Sequence, residues 1–393
     1  MKISGIICEF NPLHNGHQSL IEKAKQNSDT VLCLMSGNFS ERGNPCRMNK
    51  FERAKTAVAA GADIVIELPT AFATNGADEF AFGAVKIMDA LGVDEIVFGS
   101  ECGDITALEK LADFQLNEPP QFKTKLQQNL SSGVNFMQAY QSAMSDITSD
   151  KTLQKLASSP NDILGAAYIK AAKKQNSKIK FSCIKRTDNG FNAGLPKENH
   201  LSASSILELE KNGKDVSSFV PNFTWTSMTS APIFDEKIYH ALLAFETNKK
   251  TPLDLSQILG MTEGLEFAIK KTLLKSETLE TAVNNLTSKR YRKSRIQRLL
   301  LHVLLGLTKF DYEAIKNNTP AVKVLAVKKE KKDTLKILCT RARISLILKN
   351  SDYDTLTPAQ KISASLDISA SDLYSVCTHT PLSTDKTIGT LYL

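Results

Sequence analysis

The 393-residue sequence predicts an α/β protein: a parallel sheet covered by helices on both faces, followed by a mainly helical and α/β C-terminal part. Three observations carry this expectation. Short apolar runs alternate with helix-length segments through the first hundred residues. Glycines stand where those helices have to stop. The second half turns to long helical periodicity before returning to a strand and helix unit.

The elements follow in order. ISGIICEF (3–10) reads as a buried strand, and a helix is expected from about 16 to 27. TVLCLM (30–35), DIVIEL (63–68) and DEIVFG (94–99) are further strands, separated by helices near 49–60 and 76–91. Gly61 and Gly92 each follow a helix and precede an Asp-led strand, where a glycine cap belongs. Residues 104–176 are mainly helical, and KIKFSCIKR (178–186) is one more strand ending in positive charge. In HLSASSILELEKNG (200–213), Ser202, Ser204 and Ser205 can cap a helix that Gly213 ends. The Ser, Thr and Pro content of 217–234 reads as a linker, which sets domains of 1–215 and 216–393. Beyond it, helices are expected over 236–247, 264–287 and 292–307. A strand at 321–327, a helix near 332–336, a strand ARISLIL (342–348) and a last helical region complete the chain.

Composition narrows the function classes. No run approaches the roughly 20 apolar residues of a membrane span, and the amino terminus lacks the pattern of a cleavable signal, so a cytoplasmic protein without a membrane partner is expected. The seven cysteines are scattered and never spaced as C-x-x-C, so neither a zinc site nor a disulfide framework is suggested, and no metal ligands are assigned. The charge is more informative. Residues 289–332 hold 13 of the 49 Lys and Arg against three of the 42 acids, so the whole positive excess lies there, as expected of a segment that meets a polyanion.

The motif that carries chemistry is GIICEFNPLHNGH (5–17). A strand breaks at Asn-Pro, and His-Asn-Gly-His then opens a helix, bringing two imidazoles and free backbone N–H groups to a positively polarised helix terminus. Such a terminus binds anions, and Gly16 lets a phosphate come close to the backbone. In an α/β protein, ligands bind at the carboxyl ends of the strands.

This motif resembles the H-x-G-H signature of the nucleotidylyltransferase superfamily, which implies a Rossmann-like domain that binds ATP and supports attack at its α-phosphate. His14 and His17 would then stabilise the triphosphate as pyrophosphate leaves. Further stretches narrow the resemblance: residues 35–54, GADIVIELP (61–69), FGSE (98–101), SPNDILG (159–165), IKR (184–186) and RYRKSRIQRLLLHVLLGLTK (290–309) together are similar to the tRNA(Met) cytidine acetate ligase family. That resemblance implies an ATP-dependent ligase. It activates acetate as acetyl-adenylate and acetylates the wobble cytidine of elongator methionine tRNA to N4-acetylcytidine, with Mg2+ accompanying the triphosphate.

By the same resemblance, ATP would contact the loop formed by Ile7, Cys8, Glu9, Phe10, Asn11, Pro12 and Leu13, then His14, Asn15, Gly16, His17, Gln18, Ser19 and Leu20, together with Gly99, Asn161 and Arg186. Gly99 allows close approach at a strand end, Asn161 offers hydrogen bonds and Arg186 a fork for phosphate. Arg42 and Lys50 flank the loop after the second strand; they read either as acetate or phosphate ligands or as solvated loop charges, and Lys185 likewise. Ser202 and Ser204 can bind phosphate oxygens, although Leu207 occupies a position where related enzymes usually carry Arg. Cys46 could be read as an acyl acceptor, but adenylate chemistry needs no thioester.

In the basic segment, Arg290, Arg292, Lys293, Arg295 and Arg298 are candidate RNA phosphate contacts, and Tyr291 can stack on a base. The alternative is a core helix whose first turns expose solvated charge. Two further function classes stay open: a small-molecule adenylyltransferase of the H-x-G-H superfamily, which would need only the first domain, and a non-catalytic RNA-binding protein on the same fold. The sequence leaves the oligomeric state undetermined.

Overall fold

The computed structural model describes residues 1–134, 136–186, 201–262 and 264–393. The chain opens β1 (Ile3–Cys8), α1 (Asn15–Gln26), β2 (Thr30–Ser36), α2 (Lys50–Ala59) and β3 (Ile64–Leu68). Next come α3 (Thr70–Ala73), α4 (Ala77–Ala90) and β4 (Glu95–Ser100). The three strands β1, β2 and β3 are buried at every position, as their unbroken apolar runs require of a sheet covered on both faces. Gly61 and Gly92 adopt φ of 113° and 74°, left-handed values that let the chain turn straight from helix to strand.

Five helices follow: α5 (Ile105–Leu116), α6 (Pro120–Ser131), α7 (Phe136–Ile147), α8 (Lys151–Leu156) and α9 (Pro160–Lys174). The chain returns to the sheet in β5 (Lys180–Lys185) and leaves it in α10 (Ala203–Lys211). Strand order is β5-β4-β1-β2-β3, all parallel. The chain runs outward from β1 through β2 to β3, then crosses back to place β4 on the other side of β1. The switch point between β1 and β4 opens a crevice at their carboxyl ends.

The C-terminal half corrects three expectations. The stretch 217–234, expected as a linker, carries a packed helix. It contains α11 (Asn222–Ser230), whose Met228 packs with Val216 and Val220 against Ile206 of α10 and Met48 of the first half. The helix expected over 264–287 is two, because a turn separates α14 (Leu265–Leu273) from α15 (Leu279–Leu286), whose start is capped by Thr278. The ARISLIL strand shrinks to Leu346–Ile347.

α12 (Glu236–Lys249), α13 (Pro252–Gln257), α14, α15 and α16 (Lys293–Leu305) bury a second apolar core built around Leu243, Ile269, Leu299 and Leu300. After α17 (Lys309–Asn317), β6 (Val322–Val327) runs antiparallel to β3, so the sheet continues past the expected boundary at 215/216. α18 (Lys332–Arg341), β7 (Leu346–Ile347), α19 (Pro358–Cys377), α20 (Thr384–Thr387) and β8 (Leu391–Tyr392) complete the chain, with β7 and β8 both pairing β6.

Lys323 on buried β6 needs a compensating charge, since an unpaired buried ammonium is costly. Its ammonium donates to the Asp385 carbonyl and lies 3.7 Å from the Asp385 carboxylate. Lys50 meets the same carboxylate at 2.7 Å and Glu67 at 2.7 Å. The acetate or phosphate reading of Lys50 is therefore corrected: its side chain is wholly buried and its donors are taken by these two acids.

Candidate active site

A cavity of ≈ 470 Å³ lies at the carboxyl ends of β1 and β4, within the switch-point crevice. Ile7, Cys8, Glu9, Phe10 and Asn11 reach it from the end of β1, and His14, Gly16, His17, Ser19 and Leu20 from the start of α1. Gly99, Asn161, Lys185 and Arg186 close the opposite wall, and Arg42 enters from the loop after β2.

The helix start is built by the two histidines. His14 is the N-cap: its Nδ1 accepts the backbone N–H of Gly16 at 3.1 Å and of His17 at 3.3 Å. In return the His17 Nδ1 faces the His14 N–H at 3.4 Å, and the rings stack with centroids 3.7 Å apart. A Cβ on residue 16 would sit 3.0 Å from the His14 ring, so glycine keeps the pair closed. With Nδ1 of His14 accepting, its ring proton belongs on Nε2, which is then a donor. Burial and the nearby His14 and Arg186 hold His17 well below the ordinary histidine range, so it is neutral at pH 7.

Across the cavity, Asn161 is fixed on both sides. Its amide donates to Glu101 at 2.7 Å, and its oxygen accepts from Arg186 at 3.3 Å. Glu101 also accepts the backbone N–H groups of Asn161 and Asp162, capping the start of α9. Gly99 leaves room for Arg186, whose Cγ would be 3.3 Å from an added Cβ.

Several expected residues lie elsewhere. Pro12 and Leu13 are buried beneath the turn, Asn15 donates to the Ser218 carbonyl at 3.0 Å, and Gln18 to Glu22 at 2.9 Å. Ser202 caps α10 through the Ser205 N–H, and its hydroxyl is within 3.3 Å of that of Ser204. Ala203 between them lines the cavity, whereas Leu207 does not. Cys46 is buried, its thiol pushed up to about 11 by burial, so it is no nucleophile at neutral pH.

Other lining residues were not foreseen. Lys23 stands on the lip, and the i, i+4, i+7 spacing of Gly16, Leu20 and Lys23 was the available signal. Glu41 and Tyr168 also line the cavity, and Phe80, Phe98 and Leu164 give it an apolar side. No local pattern marks these, because four separate segments bring them in.

The basic segment meets this site through the same loop. Arg298 of α16 pairs with Glu41 at 2.7 Å, and Gly43 packs so closely that a Cβ there would lie 2.7 Å from the Arg298 nitrogen. Arg298 is thus committed within the protein. Tyr291 is half-buried, with the guanidinium groups of Arg290 and Arg295 over its ring at 5.4 and 5.0 Å. Arg290, Arg292 and Lys293 are exposed at the start of α16.

Comparison with known proteins agrees with this geometry. The family described as HIGH Nucleotidyl Transferase matches residues 1–387. A tRNA(Met) cytidine acetate ligase of Acetivibrio thermocellus is 35% identical over 400 residues, covering 97% of this chain and 96% of the relative. One from Clostridium perfringens is 34% identical, with 95% of each chain covered. The crystal structure of Thermotoga maritima TmcAL bound with alpha-thio ATP superposes over 100% of both chains, with a TM-score of 0.87 and 29% identity. No helix among the described residues is long and apolar enough to cross a membrane. With relatives matched across nearly their whole length and a histidine pair at the switch point, this chain belongs to the HIGH nucleotidyl transferases and, among them, to the tRNA(Met) cytidine acetate ligase family.

Proposed function

We propose that this protein activates acetate with ATP as acetyl-adenylate and transfers the acetyl group to N4 of the wobble cytidine of elongator tRNA(Met), releasing AMP and pyrophosphate. The observation that carries the proposal is the convergence of His14, His17 and the α1 amino terminus on one cavity, in a chain related over its whole length to cytidine acetate ligases. In this reading the reaction takes place in the cytoplasm, where ATP and tRNA meet.

The chain's own part in the first step is electrostatic. Acetate attacks the α-phosphate, the bond to the bridging oxygen breaks, and its electron pair leaves with pyrophosphate. His14 and His17 face the phosphate oxygens as charge moves onto the leaving group, with the positive end of the α1 dipole behind them. Lys23, Lys185 and Arg186 on the cavity wall balance the polyanion, and Asn161 orients Arg186. Arg42 is the remaining cation placed to receive the acetate carboxylate. Mg2+ would enter with ATP through phosphate oxygens and water. Among the described residues, no three His, Cys, Asp or Glu side chains gather to hold a metal themselves.

Residues 1–215 carry the ATP chemistry in this reading, and the basic start of α16 brings the tRNA. Arg290, Arg292 and Lys293 are its phosphate contacts, while Arg295 holds Tyr291 and Arg298 holds Glu41. Replacing Arg292 and Lys293 with Ala is expected to flatten the salt dependence of tRNA affinity by a slope of roughly 1.5, two contacts' worth. An unchanged slope in a binding titration would remove these residues from the interface.

The function itself is tested by incubation with ATP, acetate and total bacterial tRNA, followed by mass analysis of nucleosides. Acetate-dependent N4-acetylcytidine is expected. Its absence, with ATP consumed, would point to a small-molecule adenylyltransferase.

A further inference from the structure

Glu9 follows β1 directly, at the sheet end that opens into the cavity. Its backbone is held rigidly: the buried guanidinium of Arg53 donates to the carbonyls of Glu9, Ser36 and Gly37, tying the end of β1 to the loop after β2. One carboxylate oxygen accepts the backbone N–H of Glu41 at 2.5 Å. Among the described residues no hydrogen bond reaches the other oxygen.

The groups that face Glu9 come from four elements. Glu41, Arg42 and Cys46 lie on the loop, Arg53 on α2, Cys8 on its own strand and Tyr168 on α9. Burial raises the Glu9 carboxyl above the ordinary glutamate range; the hydrogen bond from the Glu41 N–H opposes this, the negative charge of Glu41 adds to it, and Arg53 and Arg42 oppose it. Glu41 differs, because its own carboxylate is taken up by Arg298.

The same loop touches α16, so Glu9 lines the cavity of the histidines and is joined through Glu41 to the helix that carries the exposed cations. The chemistry of the second step needs a proton acceptor at that point. The cytidine N4 lone pair is delocalised into the ring, and the amine must lose a proton as its bond to the acetyl carbon forms.

We propose that Glu9 is the general base for acetyl transfer, a role that rests on the acetyl-adenylate reading above. The N4–C bond forms and the C–O bond to the phosphate breaks, its electron pair leaving with AMP. The N4 proton passes to the second oxygen of Glu9 and goes to solvent when products leave. Glu41 and Arg298 are positioning residues, fixing the N–H that orients the carboxylate.

The test separates the two steps. Acetate-dependent exchange of pyrophosphate into ATP reports adenylate formation, and single-turnover formation of N4-acetylcytidine reports transfer. In Glu9→Gln, transfer is expected to fall by ~10²-fold or more, with exchange falling much less. The wild-type transfer rate should decline as pH drops through the Glu9 titration, and Glu9→Gln should lose that limb. Glu9→Asp should restore part of the rate with its own acid limb. An equal fall in both steps, or an unchanged transfer rate and pH profile, overturns the role. A wild-type enzyme that exchanges pyrophosphate yet makes no N4-acetylcytidine overturns the function itself, and the role with it.

Discussion

Replacing either histidine of the motif is expected to lower acetate-dependent pyrophosphate release by ~10²–10³-fold, the loss typical of one preorganised donor at a developing charge. The physical case rests on the ring tautomer. His14 spends Nδ1 on two backbone N–H groups, which leaves Nε2–H as a donor of fixed direction, and the stacked His17 is kept neutral by burial. A neutral His17 avoids the mutual repulsion of two imidazolium rings 3.7 Å apart.

The variants are chosen to separate chemistry from folding. His14→Ala also removes an N-cap, at about 1 kcal/mol. His14→Asn keeps a capping oxygen while losing the imidazole donor. If the chemistry is as described, Asn is as inactive as Ala in pyrophosphate exchange but melts closer to the wild type. Full activity in His14→Asn and in His17→Ala would remove the histidines from the reaction.

Lys50→Met is expected to destabilise the fold by about 3–5 kcal/mol, because it leaves buried Glu67 without its cation and Asp385 with Lys323 alone. Glu67 and Asp385 both lie within 2.7 Å of the Lys50 ammonium, and all three side chains are almost fully buried. Burial alone would discharge Lys50, but the carboxylates of Asp385, Glu67 and Asp367 outweigh it and keep the amine protonated. Asp385 sits on α20 and Glu67 on β3, so this one side chain joins the end of the chain to the first half of the sheet. Urea denaturation measures the loss, and Lys50→Met combined with Glu67→Gln should recover part of it, since removing both partners costs less than stranding one. A loss below about 1 kcal/mol would mean the pair behaves as if solvated.

The same residue shows where local reading stops. Lys50 follows a loop rich in Gly, Asn and Ser, where a basic side chain reads as a ligand for an anion. What decided otherwise was Asp385, 335 positions away in the chain. Arg298 behaves in the same way: among five basic residues it looks like an RNA contact, and only the fold brings Glu41 beside it. By contrast, the strand and helix order through β4 was legible residue by residue, since buried parallel strands are unbroken apolar runs and the glycine caps at 61 and 92 mark their own turns.

The amino-acid sequence by itself determined the alternating α/β half, the histidine pair at a helix amino terminus and the clustering of positive charge. Each depends on neighbours within a few turns of chain. Tertiary structure decided the rest: that β6 joins the first sheet, that Glu41 and Tyr168 share a cavity with the histidines, and which cations are spent inside the protein. The physical reason is range. Periodicity and capping are local energies written in adjacent residues, whereas the partner of a buried charge is set by packing between segments hundreds of residues apart.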